Sequence, residues 1–195
     1  MAKLYYRYGA MNSGKSTAVL QVAHNYEERG MHVLLVKPSV DVKGNDQIVS
    51  RLGTSRKVDI LATPSINIAK AVKQWSRDVE PVHCVLADEA QFFTPEQVDQ
   101  LLQIVVEQNI PVICYGIRTD FLTKLFTGST RLFELAHTLE ELKTICRCGK
   151  KALFNGRKIN GVFTFEGAQV AIDGIDSVEY ESLCATCYAQ HKATS

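Results

Sequence analysis

The sequence lacks an excess of charge of either sign, since 22 Lys and Arg residues stand against 21 Asp and Glu residues. Proteins dedicated to nucleic acids or membrane surfaces usually carry a basic excess, so this balance argues against both partners. No apolar run is long enough to span a bilayer, and no internal repeat is visible. No signal-peptide pattern precedes the first predicted strand. These absences predict a cytoplasmic globular protein with one substantial core.

A phosphate-binding motif follows that first strand, which is an aromatic-rich run at 4–8. The motif G-x-x-x-x-G-K-[ST] leads into a helix predicted over 16–29, and this combination makes an anion site from backbone N–H groups and the helix dipole. Lys15 is predicted to reach the β- and γ-phosphates of ATP, and Ser16 to ligate Mg²⁺. The motif residues are Gly9, Ala10, Met11, Asn12, Ser13, Gly14, Lys15 and Ser16.

Short apolar runs alternate with predicted helices along the first 144 residues. The runs lie at 31–37, 58–62, 81–87 and 110–116, and helices are predicted over 65–75, with Ser65 as its cap, and over 94–108, with Thr94 as its cap. This alternation predicts an α/β fold of the P-loop NTPase (RecA-like) type, a parallel sheet with helices on both faces.

The polar segment at 39–57 interrupts this pattern, because it shows little periodicity. It is predicted to be a long loop, of the kind that is usually functional or disordered. Arg51 within it is a candidate phosphate ligand, with an ordinary solvated surface arginine as the alternative.

Two acids follow the apolar strand at 81–87. Asp88 is predicted to be the Mg²⁺-associated acid, because its strand would end beside the phosphate-binding motif. Glu89 is predicted to be a general base that takes a proton from the group attacking the γ-phosphate. The motif alone leaves two attackers open: water would make the protein an ATPase, and a substrate hydroxyl would make it a kinase.

Cysteine pairs mark a second region, so the chain is predicted to divide into a nucleotide-binding domain at 1–144 and a zinc-binding domain at 145–195. Cys146, Cys148, Cys184 and Cys187 bracket a segment of short alternating runs. Two close pairs predict a tetrahedral thiolate zinc site, which would supply much of the stability of so small a segment. The alternatives are a redox-active cysteine pair, or a zinc site in which His191 replaces one of the cysteines.

Four motifs occur together in one order: Gly-Ala-Met-Asn-Ser-Gly-Lys-Ser-Thr at 9–17, Asp-Glu-Ala-Gln-Phe-Phe at 88–93, Tyr-Gly-Ile-Arg-Thr-Asp-Phe at 115–121 and Tyr-Glu-Ser-Leu-Cys-Ala-Thr-Cys-Tyr at 180–188. Together they resemble the type II thymidine kinases, and the resemblance covers essentially the whole chain. It implies transfer of the ATP γ-phosphate to the 5′-hydroxyl of thymidine, giving dTMP and ADP. It also implies a homotetramer that is inhibited by dTTP.

The resemblance further implies specific site residues. Glu89 would be the base for the 5′-hydroxyl, the four cysteines would bind zinc, and a lasso-like loop in the zinc-binding domain would cover the base of the nucleoside. Residues implied at the nucleotide site, besides the motif at 9–16, are Asp88, Glu89, Ala90 and Gln91. Residues implied in the nucleoside pocket are Met11, Phe92, Ile117, Phe121, Val170, Ala171, Ile172, Asp173 and Tyr180.

A second hypothesis, from another class of protein, is a RecA-like ATPase whose cysteine-rich segment forms a zinc ribbon that binds DNA. The phosphate-binding motif, the two acids and the cysteine pairs fit this reading as well. The balanced charge and the lack of a basic, aromatic-rich stripe stand against it.

Overall fold

The structure, a computed structural model, describes residues 1–41, 44–169 and 177–194. Its helices are α1 (Lys15–Glu27), α2 (Ile68–Asp78), α3 (Pro95–Gln108), α4 (Thr127–Leu135) and α5 (Ala185–Ala193). Its strands are β1 (Leu4–Gly9), β2 (Val33–Pro38), β3 (Gln47–Val49), β4 (Ser55–Lys57), β5 (Ile60–Ala62), β6 (Cys84–Ala87), β7 (Val112–Ile117), β8 (Thr138–Glu141), β9 (Thr144–Ile145), β10 (Lys151–Ala152), β11 (Phe154–Ile159), β12 (Val162–Thr164) and β13 (Val178–Leu183).

A parallel six-stranded sheet in the order β5-β2-β6-β7-β1-β8 forms the centre of the molecule. Every residue of β2 is buried, because Val33 and Leu35 pack on the side of α1 while Leu34 and Val36 pack on the side of α2 and α3. Burial on both faces explains why the strands read as continuous apolar runs. The predicted α/β fold with helices on both faces is confirmed.

The strand order places the candidate functional residues at one edge of this sheet. β6, β7 and β1 are neighbours and run parallel, so their carboxyl ends meet there. The phosphate-binding motif follows β1, and Asp88 and Glu89 follow β6. Ligands of open parallel sheets bind at this edge.

The prediction of a structureless loop at 39–57 is wrong for its second half, because β3 and β4 pair as an antiparallel hairpin. Ile48 is buried in the same core as Val19 and Ala23 of α1. The ammonium of Lys37 donates to the carbonyl oxygens of Asn45, at 3.1 Å, and Gln47, at 3.3 Å. Ile48 is the one buried residue of these two short strands, which gives too little periodicity for the sequence to reveal the hairpin.

The two predicted helix caps have different outcomes. Thr94 caps α3 in a reciprocal capping box with Gln97, and Pro95 is the first residue of the helix, as predicted. Ser65 does not cap α2; Asn67 does, by accepting from the Lys70 N–H at 2.8 Å. Asparagine caps helices at least as well as serine does. The helix therefore begins after Asn67 and not after Ser65, the earlier of the two possible capping residues.

A smaller antiparallel sheet, in the order β12-β11-β13, and the two-stranded β9-β10 ladder follow the main sheet. The predicted short antiparallel strands are therefore present. Their core is small and includes Cys146, Leu183, Cys184 and Tyr188. A division of the chain into domains at residue 144 stays a prediction. No helix within the described residues is long and apolar enough to cross a membrane.

Candidate functional site: the phosphate-binding loop and the carboxylates beside it

The turn between β1 and α1 depends on two glycines for different reasons. Gly14 has a φ of 77°, in the left-handed region that a Cβ disfavours. A Cβ on Gly9 would lie 2.5 Å from the Ser13 Oγ and 2.7 Å from the Leu142 carbonyl oxygen, so that position has no room for a side chain. These residues let the backbone N–H groups curl around one concavity, as an anion site requires.

Lys15 places its charge inside that turn. Its side chain is buried, and its ammonium donates to the Ala10 carbonyl at 3.0 Å. It lines a cavity of about 550 Å³ that opens beside the turn. The other lining residues are Met11, Asn12, Ser13, Gly14, Ser16, Thr17, Ala18, Gln21, Val49, Arg51, Leu52, Glu89 and Ile117.

Asp88 provides a buried acid at the floor of the site, with 3% of its surface exposed. Burial, and then the negative charge of Glu89, raise the pKa of its carboxyl to about 7, while a hydrogen bond from the Ser16 side chain opposes the shift. Its Oδ1 has no hydrogen-bond partner among the described residues. A buried carboxylate oxygen beside a hydroxyl is a donor set that suits Mg²⁺, so Ser16 and Asp88 fit the predicted magnesium site.

Glu89 occupies a strained backbone position directly after Asp88. Its φ of 48° lies in the left-handed region, which is uncommon for a residue with a side chain and typical of functional sites. Its side chain lines the same cavity as Lys15, and its Oε2 accepts from the Gln91 amide at 2.6 Å. This geometry presents a carboxylate to whatever lies beside the phosphate-binding turn.

Ala90 and Gln91, predicted at the nucleotide site, are buried behind Glu89. Neither is among the residues that line the cavity within the described part of the chain. Gln91 contacts Glu89 with its side chain and thus belongs to the site through that carboxylate.

The predicted nucleoside residues are only partly brought together. Met11 and Ile117 line the cavity, whereas Phe92 packs edge-on against Phe126, with ring centroids 5.4 Å apart. The Phe121 ring is buried beneath the Arg157 guanidinium, at 3.7 Å. Tyr180 faces a separate cleft, and its carbonyl accepts from the Asn12 side chain at 3.4 Å. The predicted lasso residues Val170, Ala171, Ile172 and Asp173 lie outside the described residues.

The β3-β4 hairpin forms a wall of the cavity that the sequence did not predict. Val49, Arg51 and Leu52 contribute this wall, and the Ser50 and Thr17 hydroxyls join the hairpin to α1 at 2.7 Å. The one sequence signal was Arg51, a cation in a polar segment, which now lies on the same cavity as Lys15.

Two further residues that sequence reasoning missed attach the phosphate-binding turn to the smaller sheet. Asn155 of β11 accepts from the Met11 N–H at 2.7 Å and donates to the Thr119 carbonyl at 2.7 Å. Ser182 of β13 donates its hydroxyl to the Met11 carbonyl. Polar residues inside short strands carry no motif, so only the structure reveals these bonds.

The four predicted zinc ligands converge. The sulfur atoms of Cys146, Cys148, Cys184 and Cys187 all lie within 4.8 Å of one another. A tetrahedral thiolate site with Zn–S bonds of about 2.3 Å needs sulfur atoms about 3.8 Å apart, so the cluster fits zinc. The Cys187 backbone N–H helps lower the pKa of Cys184 to about 6, whereas the side chains of Cys148, Cys184 and Cys146 raise the pKa of Cys187 to about 12. His191 instead stacks on Phe163, with ring centroids 4.0 Å apart.

Comparison with known proteins decides the family. The family model for thymidine kinase matches residues 2–188. The chain belongs to the thymidine kinase family. It is 46% identical to a thymidine kinase of Enterobacteria phage T4 over 186 residues, covering 94% of each chain. It is 45% identical to a thymidine kinase of Pasteurella multocida, covering 97% of this chain and 98% of the relative.

A thymidine kinase of Legionella pneumophila, at 46% identity over 98% of this chain, belongs to the same set of relatives. The resemblance inferred from four motifs is therefore confirmed, as is the assignment to the ATP-dependent nucleoside kinases. The comparisons do not favour the alternative of an ATPase with a DNA-gripping zinc ribbon.

Proposed function

We propose that this member of the thymidine kinase family transfers the γ-phosphate of ATP to the 5′-hydroxyl of thymidine. The observation that carries the proposal is the shared cavity, in which Lys15 of the phosphate-binding turn and the Glu89 carboxylate both take part. A cation for phosphates and a carboxylate for a hydroxyl proton are the two groups that a nucleoside kinase needs side by side.

The reaction is a single displacement at phosphorus. Glu89 accepts the proton of the 5′-hydroxyl as the hydroxyl oxygen forms a bond to the γ-phosphorus. The bond between that phosphorus and the β,γ-bridging oxygen breaks, and ADP leaves with the electron pair. Lys15 and the backbone N–H groups of residues 12–16 hold the phosphates in line and stabilise the charge on the transferred group.

Mg²⁺ and Zn²⁺ have separate roles in this proposal. Mg²⁺, held by Ser16 and Asp88, would neutralise charge on the β- and γ-phosphates. Zn²⁺, held by Cys146, Cys148, Cys184 and Cys187, would be structural, because four protein thiolates leave no open coordination position. These assignments are supported by the Asp88 Oδ1, which has no hydrogen-bond partner in the described part of the chain, and by the spacing of the four sulfurs.

The nucleoside would lie at the Met11 and Ile117 end of the cavity. Roles for Phe92, Phe121, Tyr180 and residues 170–173 in its pocket rest on the family resemblance alone. Inhibition by dTTP and assembly as a homotetramer belong to the same proposal and rest on the family resemblance, whereas a cytoplasmic location stays a separate prediction. A dTTP titration of activity and light scattering of the purified protein test the first two.

The decisive experiment measures ADP release from Mg·ATP without and with thymidine, with the nucleoside product identified by mass. We expect ADP that depends on thymidine and is matched one-for-one by dTMP. ADP release that does not depend on thymidine and increases when DNA is added would overturn the proposed function.

The Glu89→Gln variant tests the base. Removing the proton acceptor is expected to lower kcat by about 10²- to 10⁴-fold, the usual contribution of a general base. Binding of ATP and thymidine, followed by calorimetry, should persist because the amide keeps the shape of the side chain. Near-normal turnover would remove Glu89 from the base role.

A further inference from the structure

Gln91 is a buried polar residue that the phosphate chemistry does not itself explain. Its surface is 2% exposed, and it does not line the cavity formed by the described residues. A buried amide must satisfy its donors and acceptors, because each unsatisfied group destabilises the folded protein. Its partners therefore indicate what the residue is for.

The amide of Gln91 has only one orientation that satisfies its neighbours. Its Oε1 accepts from the Ile117 backbone N–H at 3.2 Å, and its Nε2 donates to the Glu89 Oε2 at 2.6 Å. A backbone N–H can only donate, and a carboxylate can only accept, so a flipped amide would place two mismatches in the core. The Gln91 side chain thus always presents a donor to Glu89.

Ile117, whose backbone N–H anchors Gln91, is itself held at its carbonyl oxygen. The Ile117 carbonyl accepts from the Tyr6 hydroxyl at 2.9 Å and from the Ser129 hydroxyl at 2.8 Å, and both of those residues are fully buried. The Gln91 amide occupies space that is available because residue 116 is a glycine, since a Cβ there would lie 2.9 Å from the Gln91 Oε1.

The backbone around Gln91 is equally constrained by α4. A Cβ on Gly128 would lie 2.7 Å from the carbonyl oxygens of Ala90, Gln91 and Phe93, so the helix packs directly on this turn. Close packing of this kind leaves the turn no room to shift.

We propose that Gln91 is a positioning residue for Glu89. It holds one carboxylate oxygen, Oε2, and thereby directs the other oxygen, Oε1, toward the cavity to receive the proton of the attacking hydroxyl. A glutamate side chain has several rotatable bonds, and positioning one in advance contributes directly to rate. This inference rests on the proposed role of Glu89 as the base.

Gln91→Glu and Gln91→Leu test the inference through thymidine-dependent ADP release. The glutamate keeps an acceptor for the Ile117 N–H but removes the donor to Glu89, whereas the leucine removes both. We expect each to lower kcat by about 10- to 100-fold, part of the contribution of a general base, with the KM values for ATP and thymidine nearly unchanged. Gly116→Ala should shift the Gln91 amide and lower kcat in the same way.

Gln97→Leu is the matched control. Gln97 is also a buried glutamine, 3% exposed, but its amide donates to the Thr63 carbonyl at 2.8 Å, at the start of α3. This variant should lower the melting temperature while leaving kcat unchanged. A kcat loss in Gln97→Leu equal to that in Gln91→Leu would mean that general destabilisation explains both, and would overturn the inference.

A double-mutant cycle separates positioning from structure. Gln91→Leu should reduce kcat in the native background but have no further effect in Glu89→Gln, because a positioning residue acts only through its target. Equal losses in both backgrounds, or full activity of Gln91→Glu, would overturn the inference. Full activity of Glu89→Gln would instead overturn the proposed role of the base.

Discussion

Asp88 and Glu89 are consecutive carboxylates with different surroundings, and this difference divides their roles. Asp88 is buried with an oxygen that has no hydrogen-bond partner among the described residues, and its pKa is raised to about 7 by burial and by Glu89. Glu89 turns away through a left-handed backbone into the cavity, with one oxygen on Gln91. A buried carboxylate such as that of Asp88 is stabilised by a cation, whereas a carboxylate that enters the cavity, such as that of Glu89, is placed to accept a proton.

Arg51 allows a prediction at the level of one side chain. It lines the same cavity as Lys15 of the phosphate-binding turn, and we expect its cation to contact the triphosphate there. Arg51→Ala is expected to lower kcat/KM for ATP by about 10- to 100-fold, the range for loss of one charge-assisted hydrogen bond. Steady-state kinetics with ATP as the varied substrate measures this.

Arg56→Ala is the control for that prediction, because Arg56 lies on the same hairpin but pairs with Glu27 of α1. It removes the same charge from the same element and should leave kcat/KM for ATP close to that of the native protein. Equal effects of the two variants would mean that hairpin stability or net charge matters, and that Arg51 does not contact the phosphates.

Among the elements, β11 and β13 hold the phosphate-binding turn from outside the main sheet. Asn155 and Ser182 bind the N–H and the carbonyl of Met11, and Asn155 also donates to the carbonyl of Thr119, two residues beyond β7. The turn is therefore fixed between two sheets. Its conformation depends on strands that follow it by more than 140 residues, as the Asn155–Met11 bond shows.

Asn155→Ala is expected to loosen the turn. It removes the partners of two backbone groups, at a cost of about 1–3 kcal/mol for each one left unsatisfied, so both the melting temperature and the affinity for ATP should fall. Calorimetric titration of ATP measures the second effect. Asn67→Ala, which removes only the cap of α2 at about 1 kcal/mol, should lower the melting temperature without changing ATP affinity. Unchanged ATP affinity in Asn155→Ala would show that the turn holds its shape unaided.

Sequence patterns predicted the elements that are specified by neighbouring residues or by a regular spacing of apolar residues. The parallel strands read as apolar runs, the glycines and Lys15 formed a contiguous motif, and Thr94 and Pro95 marked the start of α3. The β3-β4 hairpin escaped because its buried residue Ile48 stands alone among polar neighbours. The roles of Asn155 and Gln91 escaped because each depends on backbone groups brought near by the fold, such as the Ile117 N–H.

At the scale of the whole molecule, the four-cysteine cluster is linked to the proposed ATP site through β11 and β13. These strands carry Asn155 and Ser182, which bind Met11 of the phosphate-binding turn. Cys184 caps α5 immediately after β13, and Cys146 and Cys148 lie in the turn between the two strands of the ladder that precedes β11. The core of this region is small, so a metal cross-link would contribute much of its stability. Zinc would thereby stabilise the strands that carry Asn155 and Ser182.

Loss of zinc is therefore expected to weaken ATP binding at a site that contains no zinc ligand. Cys184→Ser should lower the zinc content measured by atomic absorption, speed hydrogen exchange in β11 and β13, and raise the KM for ATP. Cys114→Ser, a change to a fully buried thiol of β7 outside the cluster, should keep its zinc and serves as the matched control. If Cys184→Ser lost zinc and exchanged faster in β11 and β13 while its KM for ATP stayed native, the bonds from Asn155 and Ser182 to Met11 would not couple the two regions. Full zinc content in Cys184→Ser would instead move the ligand assignment away from that cysteine.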